Sequence, residues 1–143
     1  MLRFDVAMPN FGTTDLVVGR PSDHPELFEY SPCHRHYHCK NFSEYRLKNN
    51  LGIVLTSHKQ AFCFEDILLY WQGSPSQGYT CGNQGISIGW ADLYDRRLDC
   101  QWLDITGFPS GNYFIEVVIN KAGAFDEGPN AYPDSVVVPV TIP

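Results

Sequence analysis

Tyr113-Phe114-Ile115-Glu116-Val117-Val118-Ile119-Asn120 carries the reading of the fold. Tyr113, Ile115, Val117 and Ile119 alternate with Glu116 and Asn120, the period of a half-buried strand. Pro109-Ser110-Gly111 bounds the run as a turn. Toward the carboxy terminus, Ser135 to Ile142 is rich in valine. Pro139 confines that stretch to an edge or terminal strand, because proline cannot donate to a ladder. Toward the amino terminus, His58 to Phe64 and Leu51 to Leu55 read as short extended pieces. Leu2, Phe4, Val6 and Met8 alternate with Arg3, Asp5 and Ala7, and Pro9-Asn10-Phe11-Gly12 reads as a turn. Twelve glycines and ten prolines punctuate these runs, and no amphipathic stretch of helical length stands out. The expectation is an all-β protein, a β-sandwich or barrel-like core of short strands with long loops and little helix. Ile67 to Trp90 has little periodicity and is predicted to form long loops, with Cys63 and Cys81 placed to pin them.

The 143 residues, 43% of them hydrophobic, fit a single domain over residues 1–143. Net charge is −6, and no block of Lys and Arg forms a groove for a phosphate backbone, so no nucleic acid is expected as a partner. No segment reaches about 18 consecutive apolar residues, so no membrane insertion is expected. Met1-Leu2-Arg3-Phe4-Asp5 lacks the apolar core of a signal peptide. The address of a secreted protein would therefore lie outside this stretch. Five cysteines, Cys33, Cys39, Cys63, Cys81 and Cys100, point to a disulfide-permissive compartment or a metal site.

The most informative chemistry lies in Ser31-Pro32-Cys33-His34-Arg35-His36-Tyr37-His38-Cys39. Three of the five histidines, His34, His36 and His38, fall at alternate positions. On a strand such residues share a face. Imidazole suits Cu(II), Zn(II) and Fe(II), and three ligands leave coordination positions open, as a catalytic metal requires. On a regular strand the outer two Cα atoms lie roughly 13 Å apart, so the rings meet at one ion only if the strand bends or bulges. The bland alternative is a chance histidine-rich strand. Zinc held with Cys33 and Cys39 is another alternative, without the paired Cys-x-x-Cys spacing of strong zinc motifs.

Cys33-His34-Arg35-His36-Tyr37-His38 resembles the copper signature of the lysyl oxidases. Four further segments match in the same order. Leu2-Arg3-Phe4 and Asn10-Phe11-Gly12-Thr13-Thr14-Asp15-Leu16 resemble the family's opening strand and turn. Phe42-Ser43-Glu44-Tyr45-Arg46-Leu47 resembles the strand after the copper motif. His58-Lys59-Gln60-Ala61-Phe62-Cys63-Phe64-Glu65-Asp66 resembles the segment with the cofactor lysine. Asp92-Leu93-Tyr94 and Asp99-Cys100-Gln101-Trp102-Leu103-Asp104-Ile105-Thr106 resemble the segment with the cofactor tyrosine. The likeness runs from Leu2 to about Asn120.

The resemblance implies that His34, His36 and His38 hold copper and that Lys59 and Tyr94 become lysine tyrosylquinone. The implied activity is that of a copper-dependent amine oxidase of the protein-lysine 6-oxidase type. It converts a primary amine, free or as peptidyl lysine, to an aldehyde, with dioxygen as oxidant and release of ammonia and hydrogen peroxide. A secreted, extracellular location is implied too. The general base is left open among Glu65, Asp66, Asp92, Asp99 and His58.

Departures from the family pattern are as informative. Two cysteines that usually pair fall here at Leu69 and Trp90, so both partners of one bridge are missing together. Cys63 and Cys81 match another family pair, and their implied disulfide closes a loop of about 18 residues. Cys33 and Cys100 match positions whose usual partners lie in an amino-terminal segment. Their pairing, and competition from Cys39, stay open. Cys39 follows the last histidine and would offer copper a soft thiolate. Asp126-Glu127-Gly128-Pro129-Asn130 and Asp134 would supply oxygen ligands for a calcium ion, or form a solvated acidic loop. Two other classes of function stand beside the oxidase: a copper-binding β-domain without mature quinone, and a zinc or iron hydrolase or oxygenase built on the histidines.

Overall fold

The computed structural model describes residues 1–57, 60–121, 123–128 and 135–143, with Gln60 and Ala61 described by their backbone alone. Among the described residues there are eleven strands and no helix. They are β1 (Val6–Pro9), β2 (Leu16–Gly19), β3 (Phe28–Ser31), β4 (His36–Asn49), β5 (Gly52–Thr56), β6 (Gln60–Phe62), β7 (Leu68–Leu69), β8 (Gln84–Ile86), β9 (Trp90–Tyr94), β10 (Gly111–Ile119) and β11 (Ser135–Ile142). The all-β expectation holds. Among the described residues the strands form a six-stranded, a three-stranded and a two-stranded sheet, and none closes into a barrel. The chain clusters into two compact units, and β4 belongs to both.

One unit comprises residues 1–3, 41–61 and 101–143. Here the second part of β4 pairs antiparallel with β5 and with β10, and β10 pairs in turn with β11. Tyr45, Leu47, Tyr113 and Ile115 are buried, together with Leu103. Leu103 is tied to Leu2 by a two-bond bridge of 2.8 and 3.0 Å. β11 is the edge strand that Pro139 predicted, with Val136, Val137 and Val138 exposed. β10 departs from simple alternation. Tyr113 and Ile115 are buried on one face, and Glu116, Val118 and Asn120 are buried on the other. Glu116 tolerates burial because Arg46, its cross-strand partner, donates to it at 3.0 Å and Lys48 at 3.1 Å.

The other unit comprises residues 4–40 and 62–100. It holds the β3–β4 hairpin, the β1–β9–β7 sheet and the β2–β8 pair. The Ile67 to Trp90 region, predicted as loops, contains two short strands, β7 and β8. Such short pieces escape a periodicity reading because two or three residues cannot show a period. What organises the region is Asp66, fully buried. Its carboxylate accepts from the backbone N–H of Gly78 (2.8 Å), Tyr79 (3.2 Å) and Ser87 (2.8 Å) and from the Ser87 hydroxyl (2.7 Å). The Cys63–Cys81 disulfide closes the same region. Leu69 and Trp90, where the family resemblance leads one to expect a disulfide, stand directly opposite one another in the β7–β9 register. An apolar cross-strand pair occupies the place of the bridge.

Candidate metal centre and cavity

The histidine motif is half turn and half strand. β3 ends at Ser31, residues 32–35 form the turn, and β4 begins at His36. The Arg35 N–H closes the turn on the Ser31 carbonyl at 2.7 Å, and Arg35 takes a left-handed φ of 60°. The turn supplies the bend that three imidazoles need in order to meet. His36 and His38 share a face of β4 by strand alternation, and His34 is carried back toward them. His34 Nδ1 lies 3.2 Å from His38 Nε2, which lies 2.9 Å from His36 Nε2.

Two further contacts fix this arrangement. His34 Nε2 lies 2.7 Å from the backbone carbonyl of Asp99. A carbonyl accepts only, so Nε2 carries the proton and Nδ1 presents a bare lone pair to the cluster. The Cys33–Cys100 disulfide joins the residue before His34 to the residue after Asp99. Beneath the strand, the fully buried Gln84 donates to the Tyr37 carbonyl at 2.6 Å and accepts from the Phe64 N–H at 3.1 Å. Tyr37 lies between His36 and His38, so Gln84 holds the backbone from which both rings project. A lone glutamine in Cys81-Gly82-Asn83-Gln84 gives no sequence clue to this role.

Burial, then the charge of His34, lowers the pKa of His36. Burial, then His36 and His34, holds His38 at about 4. Neutral imidazole is the form that binds a metal. Ligand nitrogens at about 2.0 Å from one ion sit roughly 2.8–3.3 Å from each other in square or tetrahedral arrangements. The observed separations of 2.9 and 3.2 Å fall in that interval, so the three residues fit a common metal ion.

Cys39 does not join them. It is buried on β4 beside His38, and alternation turns adjacent residues to opposite faces. Burial pushes its thiol up to about 11, which keeps it protonated and removes the soft thiolate expected of it. Cys63 and Cys81 do approach His36, with ligand atoms within 4.8 Å. Their sulfurs are bonded to each other and offer no thiolate.

Tyr94 ends β9 and is buried against the same cluster. Its ring centroid lies 6.4 Å from those of both His34 and His38, and 4.2 Å from that of Phe62. Its hydroxyl accepts from the Cys63 N–H at 2.9 Å. A cavity of about 310 Å³ opens here, lined among others by His34, His36, Glu65, Asp92, Tyr94 and Asp99. Asp92 and Tyr94, two apart on β9, face it together. The structure thus brings Tyr94 to the three histidines. Lys59 and His58 lie outside the described residues.

The carboxylates proposed as bases from sequence separate cleanly. Asp66 spends its oxygens on the loop. Asp99 contributes its backbone carbonyl to His34. Asp92 and Glu65 remain at the cavity wall. Burial, then the negative charge of Glu65, raises Asp92 well above the usual carboxylate range. Burial also raises Glu65, opposed by a hydrogen bond from the Cys81 backbone. In the acidic carboxy-terminal loop, the Gly128 N–H donates to Asp126 at 2.8 Å. Pro129, Asn130 and Asp134 lie outside the described residues. Among the described residues no cluster of cation ligands forms around Asp126.

These features define an all-β protein with a cluster of three histidines, placed as a metal ion would require, beside a buried tyrosine. The chain belongs to the lysyl oxidase family, whose sequence model matches residues 1–131. Lysyl oxidase homolog 2 of Homo sapiens is 40% identical over 125 residues, covering 84% of this chain and 16% of that protein. Lysyl oxidase homolog 3 of Homo sapiens and lysyl oxidase homolog 2 of Gallus gallus are each 39% identical with the same coverage. The chain therefore spans 16% of the length of these curated relatives.

Proposed function

We propose that this chain is a copper-dependent amine oxidase that converts primary amines, peptidyl lysine among them, to aldehydes. The observation that carries the reading is the convergence of three imidazole nitrogens beside the ring of Tyr94, at one cavity. His34 through Nδ1, and His36 and His38 through Nε2, would hold copper. With dioxygen, the metal would supply the oxidising equivalents that turn the Tyr94 ring, joined to Lys59, into lysine tyrosylquinone, the electron acceptor for the amine.

The chain's own residues prepare that chemistry. The Asp99 carbonyl sets the tautomer of His34. The Cys63 N–H holds the Tyr94 oxygen, and Phe62 packs edge-on against the ring, which fixes its plane before any modification. Asp92 and Glu65 put acidic groups on the wall that Tyr94 shares. A carboxylate with raised pKa is suited to accepting a proton near neutrality. Two disulfides agree with a secreted location, where such bonds persist. Among the described residues, no helix is long and apolar enough to cross a membrane.

The test is peptide mapping by mass spectrometry after aerobic production with added copper. A covalent link between the Lys59 and Tyr94 peptides, absent without copper, is the expected result. Bound copper with the two peptides separate would reduce the protein to a copper-binding β-domain.

A further inference from the structure

Asp92 is the one buried side chain among the described residues with an oxygen, Oδ2, that has no hydrogen-bond partner. The residue is 1% exposed and lines the cavity. Leaving a buried carboxylate oxygen unmatched costs free energy unless something else satisfies it. Glu65 lines the same cavity and repels it electrostatically. Asp66, the next carboxylate, is occupied by the Gly78, Tyr79 and Ser87 donors.

Asp92 and Glu65 line one cavity together with Asp99, and no lysine or arginine is among its described lining residues, which makes a site that gains most from a small positive charge. The rest of the lining includes Leu93, Leu98 and the disulfide-bonded Cys33 and Cys63. Such walls suit a short alkyl chain behind the charge.

We propose that Asp92, with Glu65 beside it, forms the subsite that receives the ammonium group of the amine substrate, Asp92 Oδ2 accepting its hydrogen bond. This inference deepens the amine-oxidase reading and rests on it for the word substrate, but the binding itself needs neither copper nor quinone. Burial and mutual repulsion disfavour negative charge on the pair, and a bound ammonium offsets both effects. Placement follows from β9, where Asp92 and Tyr94 project from one face two residues apart. A bound amine nitrogen is thereby held next to the ring it is to meet.

The experiment is calorimetric titration of butylammonium chloride into the full chain produced without copper, with Tyr94 unmodified. Saturable binding is expected, weakened about tenfold or more by Asp92→Asn, which keeps the shape and removes the charge. Glu65→Gln should weaken it less, and n-butanol, with the same alkyl chain and no charge, should not saturate the site. Equal binding by the Asp92→Asn chain, or butanol binding as tightly as butylammonium, would overturn the subsite. Should Asp92→Asn fail to fold, Glu65→Gln and the butanol comparison decide alone. Failure here alongside a Lys59–Tyr94 cross-link would remove only the subsite. Binding without the cross-link would remove the oxidase reading and leave an ammonium-binding cavity.

Discussion

His34 Nε2 and the backbone carbonyl oxygen of Asp99 lie 2.7 Å apart, bracketed by the Cys33–Cys100 disulfide one residue away on each side. The bridge therefore does more than close a loop. It keeps an acceptor in place that holds the proton on Nε2 and leaves Nδ1 free for a metal. Replacing both cysteines by serine is expected to lower copper affinity by about 10–100-fold, the usual effect of losing a partner that orients a ligand. It should also cost stability, since a bridge spanning 67 residues contributes about 4 kcal/mol in the chain-entropy model. Competition titration with a copper chelator reads the first effect, and denaturant unfolding reads the second. Unchanged copper affinity in a destabilised variant would show that the His34 tautomer does not depend on the bridge.

Glu116 gives a pH signature of the sheet. The hydrogen bond from Arg46, then that from Lys48, holds its carboxyl below the ordinary value. A lowered folded pKa means that the native state favours the ionised form. The stabilisation is complete above the unfolded pKa, about 4.3 for a glutamate, and is lost as pH falls through the lower folded value. Glu116→Gln is expected to destabilise the protein by about 1–2 kcal/mol at pH 7. The deficit should shrink on acidification below about pH 4. Thermal unfolding of both chains between pH 3 and 7 checks this, and a deficit independent of pH would assign it to packing instead.

The strands with a visible period were legible: β10, β11, β5 and part of β1 lie where alternation and turn residues placed them. β7 and β8 were not, because their two or three residues have no period to show. The histidine triplet was legible as a candidate ligand set, and the sequence even posed its own difficulty, since a straight strand would hold the outer rings too far apart. The answer lies in Arg35 at a φ of 60°, a conformation uncommon for arginine that composition does not reveal. Asp66, Gln84 and the Asp99 carbonyl escaped a sequence reading for a common reason. Each acts on backbone groups distant in the chain, and backbone partners leave no trace in residue type. Glu116 read as the solvent side of its strand, and only the cross-strand Arg46 and Lys48 made its burial tolerable.

Asp66 is expected to be among the costliest polar residues to alter. Its two oxygens accept four hydrogen bonds in a buried setting. Asparagine retains one oxygen and turns an N–H₂ group toward donors. Asp66→Asn should therefore destabilise by about 3 kcal/mol or more, through lost charge-assisted bonds and newly unmatched N–H groups. Hydrogen exchange should locate the damage, with faster exchange at the amides of Gly78, Tyr79 and Ser87 than at β10 amides. Uniform acceleration across the chain would mean that the loop does not open by itself.

Asp92 should behave in the opposite way, although it is an equally buried carboxylate. Its raised pKa means that the native state disfavours its charge. Below the unfolded value, about 3.9 for an aspartate, both states hold the proton and nothing is lost. As pH rises above that value the unfolded chain ionises first, and native stability falls until pH passes the folded pKa. Asp92→Asn removes this penalty. The variant is expected to match the parent near pH 3.5 and to unfold roughly a few degrees higher at pH 7.5. That gain would come with loss of amine binding, because the same uncompensated oxygen serves both. A variant less stable than the parent at pH 7.5 would show that Asp92 is already satisfied in the folded protein, and the ammonium subsite would fall with it.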